Sequence, residues 1–157
     1  MVVVPLVDAP AARSILARWF VAAWPSWYGP GGRGDAQADL AAAARCRMTL
    51  PVGLVALDED GTVLGTATIK ADGAGSETGV GPWLGALLVG EAHRGHGVGA
   101  ALVAAAEAEA RRLGFPDLYA SVIPTRTLLS RAGWEFAGSA GSFGRPLAIW
   151  RRRLTPG

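Results

Sequence analysis

Residues 82 to 113 read PWLGALLVGEAHRGHGVGAALVAAAEAEARRL, and the rest of the chain is arranged around them. Trp83 to Val89 is an almost unbroken apolar run of strand length, as expected of a strand buried on both faces. Leu102, Val103, Ala106, Ala110 and Leu113 recur on one face of a helix. Between the two lies Arg94-Gly95-His96-Gly97-Val98-Gly99, with glycine at every second position. A strand that passes through glycines into a helix N-terminus builds a nest of backbone N–H groups, assisted by the helix dipole. The stretch therefore predicts a phosphate site.

The composition agrees with a folded chain. Half of the 157 residues are hydrophobic and 18% are charged, which fits one globular domain spanning residues 1–157. A net charge of +2 gives no argument for nucleic acid, and the one dense basic run, Arg151-Arg152-Arg153, reads as a solvated strand end or tail. The single cysteine, Cys46, has no histidine near it and reads as an idle thiol; one cysteine also suits a reducing compartment. No basic n-region precedes the apolar N-terminus, and no run is long enough to span a bilayer. These features point to the cytoplasm.

Outward from the central stretch, the pattern gives a strand over Val2–Val7, a helix over Ala11–Trp24 and a loop from Pro25. A second helix over Ala36–Arg47 is capped by Asp35. Val52–Leu57 and Thr62–Ala71 flank Asp60-Gly61, a hairpin signal. After the central helix, Leu118–Ile123 is a strand and Arg126–Ala132 a short helix ended by Gly133. Trp134–Ala137 and Leu147–Leu154 are strands joined by a loose connection, Gly138–Pro146. A hairpin feeding a βαβ unit predicts an α/β fold: a mixed sheet in a three-layer α/β/α arrangement.

Two phosphate-binding patterns compete for the glycine turn. Gly95-x-Gly97-x-x-Ala100, with Asp117 further on, satisfies the dinucleotide fingerprint. Asp117, however, precedes its strand, and too little chain follows Ala100 for a doubly wound sheet. The other pattern is Arg94-x-x-Gly97-x-Gly99 behind an apolar strand. With Val89 and Leu102 around the turn, and Leu128-Leu129-Ser130-Arg131-Ala132-Gly133-Trp134 later, the sequence resembles the GCN5-related N-acetyltransferase (GNAT) superfamily. The resemblance covers nearly the whole chain and implies the acyl-CoA N-acyltransferase fold, with acetyl-CoA as cofactor. It implies that the backbone of Leu87, Leu88 and Val89 meets the pantetheine arm, in a wedge where the central strand splays from the next. It also implies that Arg94, Gly95, His96, Gly97, Val98, Gly99 and Ala100 hold the pyrophosphate. Backbone N–H groups wrap a pyrophosphate only where no Cβ intrudes, which is one reason for glycine at 95, 97 and 99. His93 and His96 lack a third firm ligand, so no metal is expected.

Acetyl transfer to an amine needs a base, donors for the thioester carbonyl and an outlet for the thiolate. In many members the acid is a tyrosine in the short helix before Gly-aromatic; here that position is Leu129, which cannot donate. Ser130, Ser121 and Tyr119 are the nearby candidates, with Ser121 preferred. The central strand has no carboxylate, which leaves Glu77 and Asp72 in the preceding loop as candidate bases. Trp24, Trp27, Tyr28 and Trp83 offer π faces to a cationic amine. The resemblance thus implies an N-acetyltransferase acting on a small amine, aminoglycoside-like or polyamine-like. An acyl-CoA-binding sensor and a peptide N-terminal acetyltransferase are the alternatives, and a homodimer is a partner the family allows.

Overall fold

The computed structural model describes residues 1–73, 76–122, 128–142 and 145–154, and the predicted order of elements is present. The strands are β1 (Val2–Pro5), β2 (Val52–Leu57), β3 (Val63–Lys70), β4 (Trp83–Val89), β5 (Asp117–Val122), β6 (Glu135–Ser142) and β7 (Arg145–Arg153). They form one sheet in the order β1-β2-β3-β4-β5-β7-β6, in which β4 and β5 are the parallel pair. The helices are α1 (Ala12–Ala23), α2 (Pro25–Tyr28), α3 (Ala36–Ala43), α4 (Val98–Arg112) and α5 (Leu128–Arg131).

Alternation along β2 divides the layers. Leu54 and Ala56 enter a cluster with Leu102, Val103 and Ala106 of α4, while Val55 between them enters a second cluster with Leu16 and Phe20 of α1 and Leu40 of α3. The sheet therefore carries α4 and α5 on one face and α1 and α3 on the other. Leu102 is fully buried, and its side chain alone contributes about 2 kcal/mol of apolar burial.

Several boundaries differ from the sequence reading. Val2–Val7 is a strand only to Pro5, followed by a 3-10 turn at Leu6–Asp8. Pro25 does not open a loop; it starts the single helical turn α2, where its fixed φ and missing N–H suit a first helical position. Asp35 caps α3 through Ala38 N–H at 3.0 Å, but that helix stops at Ala43 rather than Arg47. The Gly138–Pro146 connection is mostly strand. Gly138 pairs with Ile149 and Ala140 with Leu147, and Ala140 packs with Trp83 and Ile149, so tertiary burial overrides the poor strand propensity of glycine.

Two ionic knots fasten the layers. Glu109, 6% exposed, receives Arg47 Nη2 at 2.7 Å and Arg112 Nη2 at 2.5 Å, and Arg112 also donates to the Arg47 carbonyl. This ties the segment after α3 to the end of α4. Glu107 accepts from Trp134 Nε1 at 3.2 Å and Arg152 Nε at 3.0 Å, joining α4, the Gly133–Trp134 corner and β7. The three arginines expected as a solvated strand end thus lie in β7: Arg152 serves an interlayer link, and Arg151 and Arg153 approach Glu135.

Candidate active site

The strand expected to be buried on both faces is not. In β4 only Trp83 and Leu84 are buried, and Gly85 to Val89 are half-exposed. The cause lies in the pairing. The register of β4 with β5 contains one pair, Trp83 with Tyr119, reinforced by Tyr119 N–H donating to the Pro82 carbonyl at 3.0 Å. Beyond it the strands part, and a wedge opens along Gly85–Val89. On its other edge β4 bulges against β3. Thr68 pairs with Gly85 and Thr66 with Leu88, so Ala67 alone spans Ala86 and Leu87, and Ala86 takes φ 51.

At the wide end of the wedge the chain makes a 3-10 turn at Glu91–His93 and enters α4 through Gly95 and Gly97, at φ 80 and 82. An added Cβ at either position would meet no protein atom, so the backbone conformation is what requires glycine there. No side chain caps α4, and the N–H groups of Val98, Gly99 and Ala100 belong to the first turn, which has no partners within the helix. Gly99 has another reason to be glycine: a Cβ would lie 2.9 Å from Leu128 Cδ2 of α5. Arg94 folds back, Nε donating to the Val89 carbonyl at 3.2 Å, and so braces the turn.

On the face away from α4, a cavity of about 410 Å³ lies between α1, α3 and the sheet. Phe20, Tyr28, Leu40, Leu50, Pro51 and Ala86 give it apolar and aromatic walls, and Asp39, Thr68, Lys70 and Asp72 border it with polar groups. The Tyr28 hydroxyl donates to Asp39 Oδ2 at 2.6 Å. Burial, then the hydrogen bond and charge of Asp39, raise the Tyr28 pKa well above its ordinary value, so it persists as a donor and is a poor proton source. A second hollow, about 270 Å³, lies between Trp19, Ala22 and Ala23 of α1 and Leu88–Glu91 with Arg94.

The wedge leads to the glycine turn at one end, and Ala86, at the β4 bulge, borders the cavity on the α1/α3 face. The acetyltransferase (GNAT) family model matches residues 16–132, which includes both. The chain belongs to the acetyltransferase (GNAT) family. A search of curated proteins gave no match. Among solved structures, an aminoglycoside 6'-N-acetyltransferase complexed with coenzyme A is 16% identical with TM-score 0.73, covering 100% of this chain and 99% of that one. Salmonella typhimurium yncA, solved with its cofactor acetyl-CoA, is 19% identical with TM-score 0.69, covering 94% and 91%. A ribosomal-protein-alanine N-acetyltransferase from Brucella melitensis is 20% identical with TM-score 0.74, covering 98% and 100%. The shared property at these identities is the fold.

Within this GNAT fold the sequence-predicted residues divide. Leu87, Leu88 and Val89 line the wedge edge of β4, although the Val89 carbonyl is already taken by Arg94. Gly95, His96 and Gly97 form the turn, and Val98, Gly99 and Ala100 open α4, with Gly99 packed against Leu128. Ser121 and Tyr119 alternate with Leu118 and Ala120, which face α4, so both project from the opposite face. Asp72 borders the 410 Å³ cavity, whereas the side chain of Glu77, in the 3-10 turn Ser76–Thr78, lies outside the described residues. Leu129 is 3% exposed and packs in the α4 cluster. Trp83 is corrected: it is 1% exposed, its ring is tilted against Tyr119 with centroids 5.8 Å apart, and its Nε1 donates to the Val80 carbonyl, so it is core and offers no face to an amine. Tyr28 borders the cavity; Trp27, 48% exposed on α2, does not. Sequence reasoning did not single out Asp39, Thr68 and Lys70, which also border the cavity; Thr68 and Lys70 alternate with Ile69 on β3, and Asp39 on α3 has no local signal.

Proposed function

We propose that this chain is a single-domain, acetyl-CoA-dependent N-acetyltransferase acting on a primary amine of a small molecule. The observation that carries the reading is the parting of β4 from β5 after one pair, which leads directly into the Gly95–Gly97 nest. The residues present fit the cofactor. Two left-handed glycines keep Cβ atoms out of the cradle, and the first turn of α4 offers Val98, Gly99 and Ala100 N–H groups toward a diphosphate. The unpaired edge of β4 offers peptide groups at Leu87 and Leu88 to an extended amide-bearing arm. When bound, acetyl-CoA supplies the activated acetyl thioester.

The chain's own residues then have three tasks. Asp72, with Glu77 as the other candidate, receives the proton of the incoming ammonium, directly or through water. The wedge-facing N–H groups of β4 orient the carbonyl of the bound group, and Ser121 is the hydroxyl nearest in sequence to that gap. Phe20, Leu40, Leu50 and Pro51 exclude water from the amine. A thiol-release assay over a panel of amines tests the reading. Release with at least one amine, together with thermal stabilisation by acetyl-CoA, is expected; stabilisation by NAD and not by acetyl-CoA would overturn it.

A second reading, an acyl-CoA-binding sensor, is favoured by one observation: Leu129, at the position of the family's tyrosine, is sealed in the core. Acetyl-CoA binding without thiol release across the panel would select it.

A further inference from the structure

The floor of the 410 Å³ cavity carries two polar side chains that the proposed chemistry does not use. Thr68 and Lys70 alternate with Ile69 on β3; Ile69 packs in the α4 cluster, so both project into the cavity on the other face. Thr68 is 5% exposed and lines the cavity, and its hydroxyl oxygen is not sealed from it. This differs from Thr66, whose hydroxyl is satisfied by the Leu54 carbonyl at 2.7 Å. A hydroxyl that faces a cavity and is not committed to the backbone is free to bond a ligand there.

The register leaves room on the β4 side, whereas the space over Gly53 is filled by Ala43 and Leu6. Thr68 stands between Gly53 of β2 and Gly85 of β4, so neither neighbouring strand places a side chain beside it. Lys70 lies over the second glycine: a Cβ at Gly85 would sit 3.4 Å from Lys70 Cε and 3.7 Å from Nζ. Lys70 is half-buried, and among the described residues it has no ion pair, although Asp72 is two residues away and Asp39 borders the same cavity. An unpaired ammonium beside a hydroxyl that faces the same cavity, one residue from the Ala86 bulge, is an anion site. The cavity's carboxylates, Asp39 and Asp72, suit the opposite charge.

We propose that the acceptor is a zwitterion, an amino-acid-like molecule with an apolar side chain, whose carboxylate is held by Lys70 Nζ and Thr68 Oγ1 while its ammonium faces Asp72 and Asp39. This deepens the acetyltransferase reading and rests on it. The apolar walls from Phe20, Leu40, Leu50 and Pro51 receive the side chain, and they offer few partners to the many hydroxyls of an aminoglycoside.

The test compares matched pairs that differ only in the carboxylate, L-leucine with isoamylamine and L-phenylalanine with phenethylamine, with kanamycin as a third arm. Thiol release is followed for the natural chain, Lys70→Gln and Thr68→Val. In the natural chain each amino acid is expected to exceed its decarboxylated partner in kcat/KM by about 10- to 100-fold. Lys70→Gln is expected to abolish that preference by raising KM for the amino acids, with KM for acetyl-CoA unchanged; Thr68→Val does the same to a smaller degree. Equal or better use of the decarboxylated amines, or of kanamycin, overturns the proposal. So does a Lys70→Gln variant that loses kcat equally for both members of each pair, since Lys70 would then act on the carbonyl. Acetyl-CoA stabilisation with no acceptor in any arm overturns this inference alone, whereas failure to bind acetyl-CoA overturns the reading beneath it.

Discussion

Glycine recurs at 95, 97 and 99 for two different reasons, and mutation separates them. Gly95 and Gly97 occupy left-handed backbone with open space where a Cβ would go. Gly97→Glu places a carboxylate in the cradle, and calorimetry is expected to show acetyl-CoA affinity falling at least about tenfold, or ~1.4 kcal/mol. Gly99→Val acts through Leu128 instead, and its main effect is expected on the melting temperature rather than on cofactor affinity. Tyr28 gives a third residue-level test. Its pKa is raised, so the folded state keeps the proton longer than the unfolded chain does. Its contribution is therefore complete below about pH 10, the unfolded value, and is lost as pH rises toward the higher folded value. Denaturant titrations of Tyr28→Phe are expected to show that this alkaline loss has disappeared.

Among the elements, Glu109 is the sharpest case. Burial opposes its ionisation, but hydrogen bonds and charge from Arg47 and Arg112 outweigh that and hold its carboxyl below the usual range. The contribution is present above the unfolded value of about 4.3 and is lost as pH falls through the lower folded value. Glu109→Gln is expected to cost about 1–3 kcal/mol in urea unfolding at pH 7, with the difference from the natural chain narrowing in acid. This knot was illegible in the sequence because Arg47 and Glu109 are far apart in the chain and no local pattern joins them. The β4–turn–α4 unit was legible because all of its determinants are local: an apolar run, alternating glycines and a periodic helix. The hairpin closing the sheet was misread because its glycines argue for a loop, and only Ala140 packing on Trp83 and Ile149 makes a strand there favourable. At the site, the nest was readable, and so were Asp72 and Tyr28 singly, but the cavity they border was not, since Phe20, Asp39 and Thr68 reach it from three separate segments.

At the scale of the whole molecule, binding and folding are coupled. Acetyl-CoA at 100 times its Kd is expected to stabilise the chain by about 2.7 kcal/mol, read as a shift in thermal midpoint that Gly97→Glu lacks. The sheet also responds as a whole, because β4 and β5 share one backbone pair, Trp83 with Tyr119. Strands β1 to β4 and strands β5, β7 and β6 are in effect two panels, hinged at one end and held across the gap by the helix between them. On the proposed reading, a cofactor arm laid in that gap would act as an eighth strand and complete the hydrogen-bonded surface. The cleft would then be stiffened by the molecule it receives, and an acceptor arriving second would meet a wall that the first ligand has made rigid.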